Sequence, residues 1–450
     1  MHHHPHNRVT LGGKLSAVLV AAGSSVGLGN IWRFPYVAGD NGGGAFLVIY
    51  LLCVLLLGLP LMLAEFTVGR ASHRNAVGAY RALDRRWSLL GYNGVLAAFL
   101  ILGFYFVVSG WTAEYMVHSL TGELARYSTA AEYETFFGNF IRSPWRPVLY
   151  TILFVLATHF VIALGVQKGI ERSAKILMPL LFLILIALAV RSLLMPGGEA
   201  GLRFLFEPDF SKVTPSTLLV ALGQAFFSLS IGIGTMVTYA SYFRPDTDLR
   251  HTALNVTLLD TLVALLAGVV IFPAVFSAGI EPTSGPSLVF ITLPGIFNGM
   301  PFGMVWSSVF FLLLIVAALT STISLHEVIT AYLHEERHMS RRTAAWTTTA
   351  AVALLGSLAS LSLGVLGGWK IAGLTLFDSL DFLTANIMLP IGGLFTSLFV
   401  GWRLDAHILR AQISNEGRLK LRIFGPLRFL LRYVCPTVLL LVFLDHLGVF

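Results

Sequence analysis

Eleven long apolar runs constrain the fold of this chain more than any other feature of its sequence. A helix needs about 20 apolar residues to cross the roughly 30 Å hydrocarbon core of a bilayer, and most of these runs reach that length. We therefore predict an all-α polytopic membrane protein with eleven spans. The runs fall at residues 14–38, 44–68, 89–120, 148–164, 170–194, 216–242, 252–279, 303–334, 343–360, 376–400 and 426–446.

The composition excludes the main alternatives. Residues of the set AVILMFWYC make up 56% of the chain and charged residues only 12%, with a mean hydropathy of +0.78. A soluble protein needs about a quarter of its residues charged to cover its surface. A soluble enzyme, a disordered chain and a disulfide-stapled secreted module are therefore excluded, and a transmembrane barrel would show short alternating segments. Cys53 and Cys435 lie in or beside apolar runs, and we expect them to be unpaired.

The basic residues predict the orientation. With the N-terminus in the cytoplasm, the inside loops hold 20 Lys and Arg and the outside loops hold 7. Basic residues accumulate in cytoplasmic loops, so the net charge of +7 is explained by the bilayer and does not imply a nucleic-acid partner. The expected organisation is a cytoplasmic segment (1–13), spans 1–5 (14–194), an extracellular connection (195–215), spans 6–10 (216–400), a cytoplasmic loop (401–425), and span 11 with an external C-terminus (426–450).

Serines and glycines interrupt two of the predicted spans. The first contains AGSSVGLGN at 22–30 and the sixth contains FFSLSIGIG at 226–234, and both carry the pattern S-x-G-x-G. These residues weaken a helix and free backbone groups that lipid cannot satisfy, so a break is tolerated only where it lines a cavity. Because each break opens one five-helix half, we predict an inverted-repeat transporter with a mid-membrane site. Close helix packing through small residues is the alternative interpretation.

Long ordered motifs run through nearly the whole chain. They include GSSVGLGNIWRFPY and DNGGGAF near the start, GLPLMLAEFTVGR at 58–70, KGIERSAKILMP at 168–179, GQAFFSLSIGIGTMVTYASY at 223–242, GPSLVFITLP at 285–294, ALTSTISLHE at 318–327 and LFDSLDFL at 376–383. The set resembles the neurotransmitter:sodium symporter family, and the eleven spans are similar to short prokaryotic members that transport several hydrophobic amino acids. The resemblance implies the leucine-transporter fold, a 5+5 inverted repeat with helices 1 and 6 broken plus an eleventh helix. It also implies a transporter rather than an enzyme, in a prokaryotic cell (inner) membrane.

The resemblance further implies two sodium sites. Their residues suit a hard cation, which prefers carbonyl, hydroxyl and carboxylate oxygens. From the residues alone, the adjacent hydroxyls of Thr320 and Ser321 in the eighth span could instead bond carbonyls of their own helix. The first site, completed by the substrate's carboxylate, would use the Ser25 carbonyl, Asn30, Ser228 and Asp260. The second would use the carbonyls of Gly23, Val26 and Ala317 with the hydroxyls of Thr320 and Ser321.

Asp260 lies in an otherwise apolar span, where an acid is costly and is a functional candidate by default. The matching family position is commonly Asn. One turn later, where some relatives carry a glutamate and chloride-dependent relatives carry Ser, this chain has Ala264. The resemblance thus implies that Asp260 supplies the negative charge that others take from chloride, and we expect no chloride requirement. A protonated Asp260, bonded within the bundle or carrying a proton on the return step, is the alternative.

Gly27 stands where monoamine carriers of the family hold an aspartate. The site lacks its own carboxylate there, so the resemblance favours a substrate that brings one, an L-α-amino acid. Its carboxylate is expected at the amides of Leu28 and Gly29, near a half-helix N-terminus, and at the Tyr105 hydroxyl. Its ammonium is expected at the carbonyls of Ser24 and Phe227 and the side chains of Ser228 and Ser321. Ser25 is also expected to line the substrate site.

The expected side-chain pocket contains no acid or base, so a charged substrate side chain would be rejected by its desolvation cost. Neutral, hydrophobic or aromatic substrates are therefore favoured. At Ile233 some relatives have Phe, which leaves room here for a bulky side chain. The pocket is expected to consist of Val26, Ile101, Tyr105, Phe227, Ser230, Ile233 and Leu325.

Two gates follow from the same resemblance. Outside, Arg33 would pair with Asp381 above the Tyr105–Phe227 lid, with Gln224 nearby; an arginine at this point could instead snorkel to the interface. Inside, Arg8 would pair with Glu335, with Tyr242 nearby, although the family's Trp three residues after that arginine is Leu11 here. Gly169 and Pro179 indicate a fifth helix able to unwind, and Glu65 and Glu327 are buried acids without an assigned site.

Three other functions use the same features. A channel could use the broken helices as a pore, an amino-acid sensor could keep the site without transport, and a proton-coupled carrier could use Asp260. The preferred amino acid, the ion stoichiometry and the oligomeric state stay open at this point.

Overall fold

The computed structural model describes residues 9–280, 288–420 and 423–446, and that part of the chain is almost entirely helical. Nine uninterrupted helices in it are long and apolar enough to cross a membrane. Each covers one predicted run, so the run number is kept as its name. They are span 2 (Gly44–Ser72), span 3 (Arg85–Leu120), span 4 (Arg146–Ala163), span 5 (Val166–Leu193), span 7 (Leu249–Ser277), span 8 (Gly303–Glu336), span 9 (Arg341–Leu361), span 10 (Leu376–Arg403) and span 11 (Phe424–Leu444).

Span 1 is broken where the serines and glycines predict it. It consists of the helices Lys14–Ser25 and Gly29–Asp40, whose axes differ by 51°. The first helix stops because Val26 is extended, with φ −71° and ψ 107°. Counted as one bent span, the pair is the tenth helix long enough to cross a membrane among the described residues.

Span 6 is broken more widely. The helices Pro215–Ser228 and Thr235–Ala240 are separated by residues 229–234. Within this segment Gly232 and Gly234 have φ of +83° and +78°, in the left-handed region that only glycine enters without strain. Ser230 is also left-handed, with φ +54°. The glycines of the pattern are therefore needed by the backbone path, and close helix packing alone does not explain them.

The two broken spans pack against the most buried helices of the bundle. In the most apolar stretch of spans 3 and 8, 83% and 78% of residues are buried, against 28% in span 11. Lys14–Ser25 contacts spans 7 and 8, and Thr235–Ala240 contacts spans 2 and 8. The breaks thus lie inside the protein, where backbone groups can find partners other than lipid.

Five shorter helices lie in segments that the sequence analysis treated only as connections. They include two that start at side-chain caps: the Asn75 carboxamide accepts from the amides of Val77 and Gly78, and Thr129 and Glu132 form a capping box. Hydrogen bonds from the backbone amides of Ser128 and Thr129 hold the pKa of the Glu132 carboxyl below its usual range. These helices are Ala76–Leu83, Ala130–Arg142, Gly198–Phe206, Leu288–Asn298 and Ala406–Ile413.

Candidate functional site

The breaks in spans 1 and 6 lie against each other and bond across the gap. The Ser230 hydroxyl donates to the Ser24 carbonyl at 3.0 Å. The Gln224 carboxamide donates to the Gly29 carbonyl at 2.9 Å. The Ser24 carbonyl, freed by the first break, is therefore bonded by the other broken span, while the Gly29 carbonyl also accepts from the Phe34 amide of its own helix.

A cavity lies between these breaks and spans 3 and 8. Its wall contains no carboxylate, amine, guanidinium or imidazole, and it includes ten of the residues predicted to bind substrate, with Gly27 in addition. Three predicted residues, Val26, Leu28 and Ser228, are buried beside the cavity and not in its wall. The wall consists of Ser24, Ser25, Gly27, Gly29, Ile101, Tyr105, Phe227, Ser230, Ile233, Ser321 and Leu325.

One end of the cavity presents backbone amides. The Leu28 amide donates to the Tyr105 hydroxyl at 2.9 Å, which brings together two of the groups expected around a carboxylate. No side chain fits at the glycines here. A Cβ at Gly27 would collide with the Ser321 hydroxyl and lie 2.7 Å from the Tyr105 oxygen, and one at Gly29 would lie 2.9 Å from the Phe227 ring.

Asn30, Ser228 and Asp260 form a fully buried polar cluster beside the cavity. The Asn30 carboxamide donates to Ser228 Oγ at 2.9 Å and to Asp260 Oδ1 at 2.8 Å. The Ser228 hydroxyl donates to Asp260 Oδ2 at 2.7 Å. Among the described residues, no basic side chain lies within 4 Å of this carboxylate, so it has neutral partners only. An unneutralised buried acid of this kind is suited to bind a cation.

Thr320 in span 8 lies against the first break. Its hydroxyl oxygen is 3.2 Å from the Val26 carbonyl and 2.9 Å from the Ala317 carbonyl. A Cβ built on Gly23 would lie 3.7 Å from the Thr320 side chain. The back-bond to Ala317 expected of a threonine in a membrane helix is therefore present. The carbonyls of Val26 and Ala317, which the hydroxyl contacts, are both predicted ligands of the same sodium ion.

The predicted outer ion pair is not formed in this structure. The Arg33 guanidinium lies over the Phe227 ring, 4.6 Å from its centroid, and its Nη1 is buried without a hydrogen-bond partner among the described residues. It makes no ion pair with Asp381 within 4 Å. The physical reason is that the aromatic face holds the guanidinium above the cavity. Gln224, predicted nearby, bonds the Gly29 carbonyl instead of this pair.

The inner gate is described only in part, because Arg8 lies outside the described residues. Its expected partner Glu335 accepts from the Asn75 amide at 2.8 Å, at the start of Ala76–Leu83. The Tyr242 hydroxyl donates to Glu327 at 2.7 Å. The Glu327 carboxylate, which had no assigned site, also forms a bidentate ion pair with the Arg341 guanidinium, with N–O distances of 3.0 and 2.7 Å.

Glu65, the other buried acid without an assigned site, serves the second break. Its Oε1 accepts from the Gly232 amide at 2.7 Å, and the residue is 1% exposed. An amide freed at the break thus finds its partner on span 2. A buried acid in an apolar run was the only signal that the sequence offered for this contact.

Comparisons with known proteins agree with this geometry. The sequence profile of the sodium:neurotransmitter symporter family matches residues 8–137 and 143–450. An uncharacterized sodium-dependent transporter of Bacillus subtilis, YhdH, is 41% identical over 438 residues, covering 97% of each chain. Another from Haemophilus influenzae is 36% identical and covers 98% of each chain.

The fold agrees as closely. The crystal structure of MhsT in complex with L-phenylalanine matches with a TM-score of 0.90 and 45% identity, covering 98% of this chain and 100% of that one. The chain therefore belongs to the sodium:neurotransmitter symporter family. It is a polytopic, sodium-dependent symporter, and the predicted leucine-transporter fold is confirmed.

Glu171 links spans 1 and 5 by hydrogen bonds that the sequence analysis did not predict. This carboxylate, 5% exposed in the second turn of span 5, accepts from the Gly12 amide at 3.0 Å and the Ser16 hydroxyl at 2.7 Å. It also pairs with Lys175 at 2.6 Å. Glu171 therefore holds the start of span 1 against span 5, next to a second cavity that reaches Gly23 and Thr320.

We predict that Glu171→Gln loosens this contact, because the amide keeps the size but loses the charge and half of the acceptor capacity. A cysteine introduced at Ser173, in the wall of the second cavity, should then react about tenfold faster with a water-soluble thiol reagent. Both native cysteines are buried, which keeps the background low. Glu199→Gln is the matched control: Glu199 also pairs four residues along, with Arg203, but is exposed. Equal labelling of both variants would contradict the role of Glu171.

Proposed function

We propose that this symporter imports neutral, hydrophobic or aromatic L-amino acids together with two sodium ions, by alternating access. The single observation that carries the substrate class is the cavity wall. It contains no charged group and includes the apolar side chains of Ile101, Ile233 and Leu325, and the Tyr105 hydroxyl in it accepts from the Leu28 amide. The presence of L-phenylalanine in the MhsT structure supports the same class.

The amino-acid backbone would bind between the two breaks. Its carboxylate would meet the freed amides and Tyr105, and its ammonium would meet the carbonyls of Ser24 and Phe227 with the Ser228 and Ser321 side chains. No acid stands at Gly27 to pair an amine that lacks a carboxylate. A zwitterion thus brings the negative charge that the site itself does not provide there.

The first sodium would lie between the substrate carboxylate and the cluster of Asn30, Ser228 and Asp260, with the Ser25 carbonyl. The second would lie between the first break and span 8, at Gly23, Val26, Ala317, Thr320 and Ser321. The proximity of Thr320 to the Val26 and Ala317 carbonyls supports this second set.

Transport would require spans 1, 2, 6 and 7 to rock against the rest. On closure at the outer side, Arg33 would leave the Phe227 face and pair with Asp381. The excess of Lys and Arg in alternate loops supports a cytoplasmic N-terminus and an external C-terminus in a prokaryotic inner membrane. The 5+5 division of the chain at residues 195–215 belongs to the same proposal.

Uptake into proteoliposomes tests this function. Labelled L-phenylalanine should accumulate against its gradient when sodium is outside, with saturable kinetics, and unlabelled hydrophobic amino acids should compete while acidic and basic ones should not. Sodium-dependent binding without uptake would indicate a sensor, and non-saturable flux would indicate a channel. Accumulation driven equally by a proton gradient without sodium would indicate a proton-coupled carrier.

The second sodium site predicts the effect of Thr320→Val. Valine keeps the shape but removes one oxygen ligand, so the sodium concentration for half-maximal L-phenylalanine binding should rise at least about tenfold, roughly 1.4 kcal/mol. Thr348→Val is the matched control, since the Thr348 hydroxyl bonds only the Ala344 carbonyl of its own helix. If Thr320→Val and Thr348→Val have the same sodium dependence, the assignment of Thr320 is wrong.

The charge of Asp260 predicts independence of chloride. Two sodium ions and a zwitterionic substrate carry two net positive charges, and the one at the first sodium is worth about 2–4 kcal/mol against a neighbouring negative charge at several ångströms and an effective dielectric of about 20. Asp260 would balance it, so replacing chloride by gluconate should leave uptake unchanged. Asp260→Asn should lower the sodium affinity, and Asp260→Asn with Ala264→Ser should become partly chloride-dependent. Loss of wild-type uptake without chloride would contradict the first sodium site.

A further inference from the structure

One hydroxyl in the wall of the cavity has no partner. Ser24 is 3% exposed, and its Oγ is buried without a hydrogen bond to any described residue. A serine in a membrane helix usually bonds a carbonyl one turn earlier, as its neighbour Ser25 does with Ala21 at 3.4 Å. Ser24 makes no such hydrogen bond, and it lies in the wall of the cavity. An unpaired buried hydroxyl is unfavourable unless something else bonds it.

The other hydroxyls of the wall are already committed. The Ser230 hydroxyl donates a hydrogen bond to the Ser24 carbonyl. Tyr105 accepts from the Leu28 amide, and Ser321 lies beside Tyr105 at Gly27. Tyr105 and Ser321 belong to the groups that would bind the substrate backbone.

Ser24 lies on the other side of the break, in the last turn of Lys14–Ser25. The same wall includes the side chains of Ile101, Ile233 and Leu325. A substrate side chain there meets an apolar surface with one free polar group. The matching chemistry is an aromatic ring that carries a single hydrogen-bonding group.

We propose that Ser24 is a specificity-determining residue that favours aromatic L-amino acids with a hydrogen-bonding ring substituent, tyrosine first and tryptophan second, over phenylalanine. This inference rests on the proposed function and deepens it. With tyrosine bound, the Ser24 hydroxyl gains its missing partner. With phenylalanine bound, the Ser24 hydroxyl stays unpaired. A site that hydrogen-bonds a polar group of the substrate therefore discriminates against the analogue that lacks this group.

The test is a cycle between protein and ligand, measured as sodium-dependent equilibrium binding of tyrosine, phenylalanine and 4-fluorophenylalanine. The last ligand fills the ring position without an O–H donor. Ser24→Ala should weaken tyrosine binding about fivefold relative to phenylalanine, the worth of one neutral hydrogen bond. The ratio of 4-fluorophenylalanine to phenylalanine should not move. Ser360→Ala is the matched control, because the Ser360 hydroxyl is also buried without a partner among the described residues but is not in the cavity wall; its tyrosine-to-phenylalanine ratio should equal the wild-type ratio.

Equal weakening of all three ligands by Ser24→Ala would overturn the inference and would place the hydroxyl at the substrate backbone. An unchanged ratio, or a wild-type site that does not bind tyrosine, would overturn it as well. If none of the three amino acids binds in the presence of sodium, the proposed function itself fails and this inference fails with it.

Discussion

The backbone groups freed at the two helix breaks have to be satisfied inside the membrane, and the rest of the site depends on how this is done. Lipid offers no hydrogen bonds, so an amide or carbonyl that loses its helical partner needs another. Neighbouring side chains take that role: Ser230 donates to the Ser24 carbonyl, Glu65 accepts from the Gly232 amide and Tyr105 accepts from the Leu28 amide. Both breaks also line one cavity, and we propose that the substrate binds there.

Electrostatics gives the same conclusion from another direction. Asp260 is fully buried and bonded to Asn30 and Ser228, with no basic side chain beside it among the described residues. Burying a carboxylate without a cation is costly. A sodium ion next to this cluster would lower that cost only while it is bound. The proposed coupling follows, because the ion and the substrate carboxylate would each improve the site for the other.

Much of this could be predicted from the sequence, for reasons that particular residues make clear. The pattern S-x-G-x-G located both breaks, and in the second break glycine is the residue that tolerates the left-handed backbone of Gly232 and Gly234. Most of the cavity wall was also predicted. The partners of the freed groups were not, since Glu65 and Glu171 bond backbone atoms far away in the chain, and no local pattern encodes such a contact. The Arg33–Asp381 pair could not be judged either, because it depends on the conformation as well as on the residues.

The most direct test of this account is equilibrium binding of L-phenylalanine measured across a series of sodium concentrations, with choline as the replacement cation. If the ions and the substrate stabilise the same broken-helix site, the affinity should rise with sodium, with a log–log slope approaching about two at low sodium. Sodium affinity should rise with L-phenylalanine by the same factor, as linkage requires. An affinity for L-phenylalanine that is independent of sodium would contradict the central claim that the two ligands share the breaks.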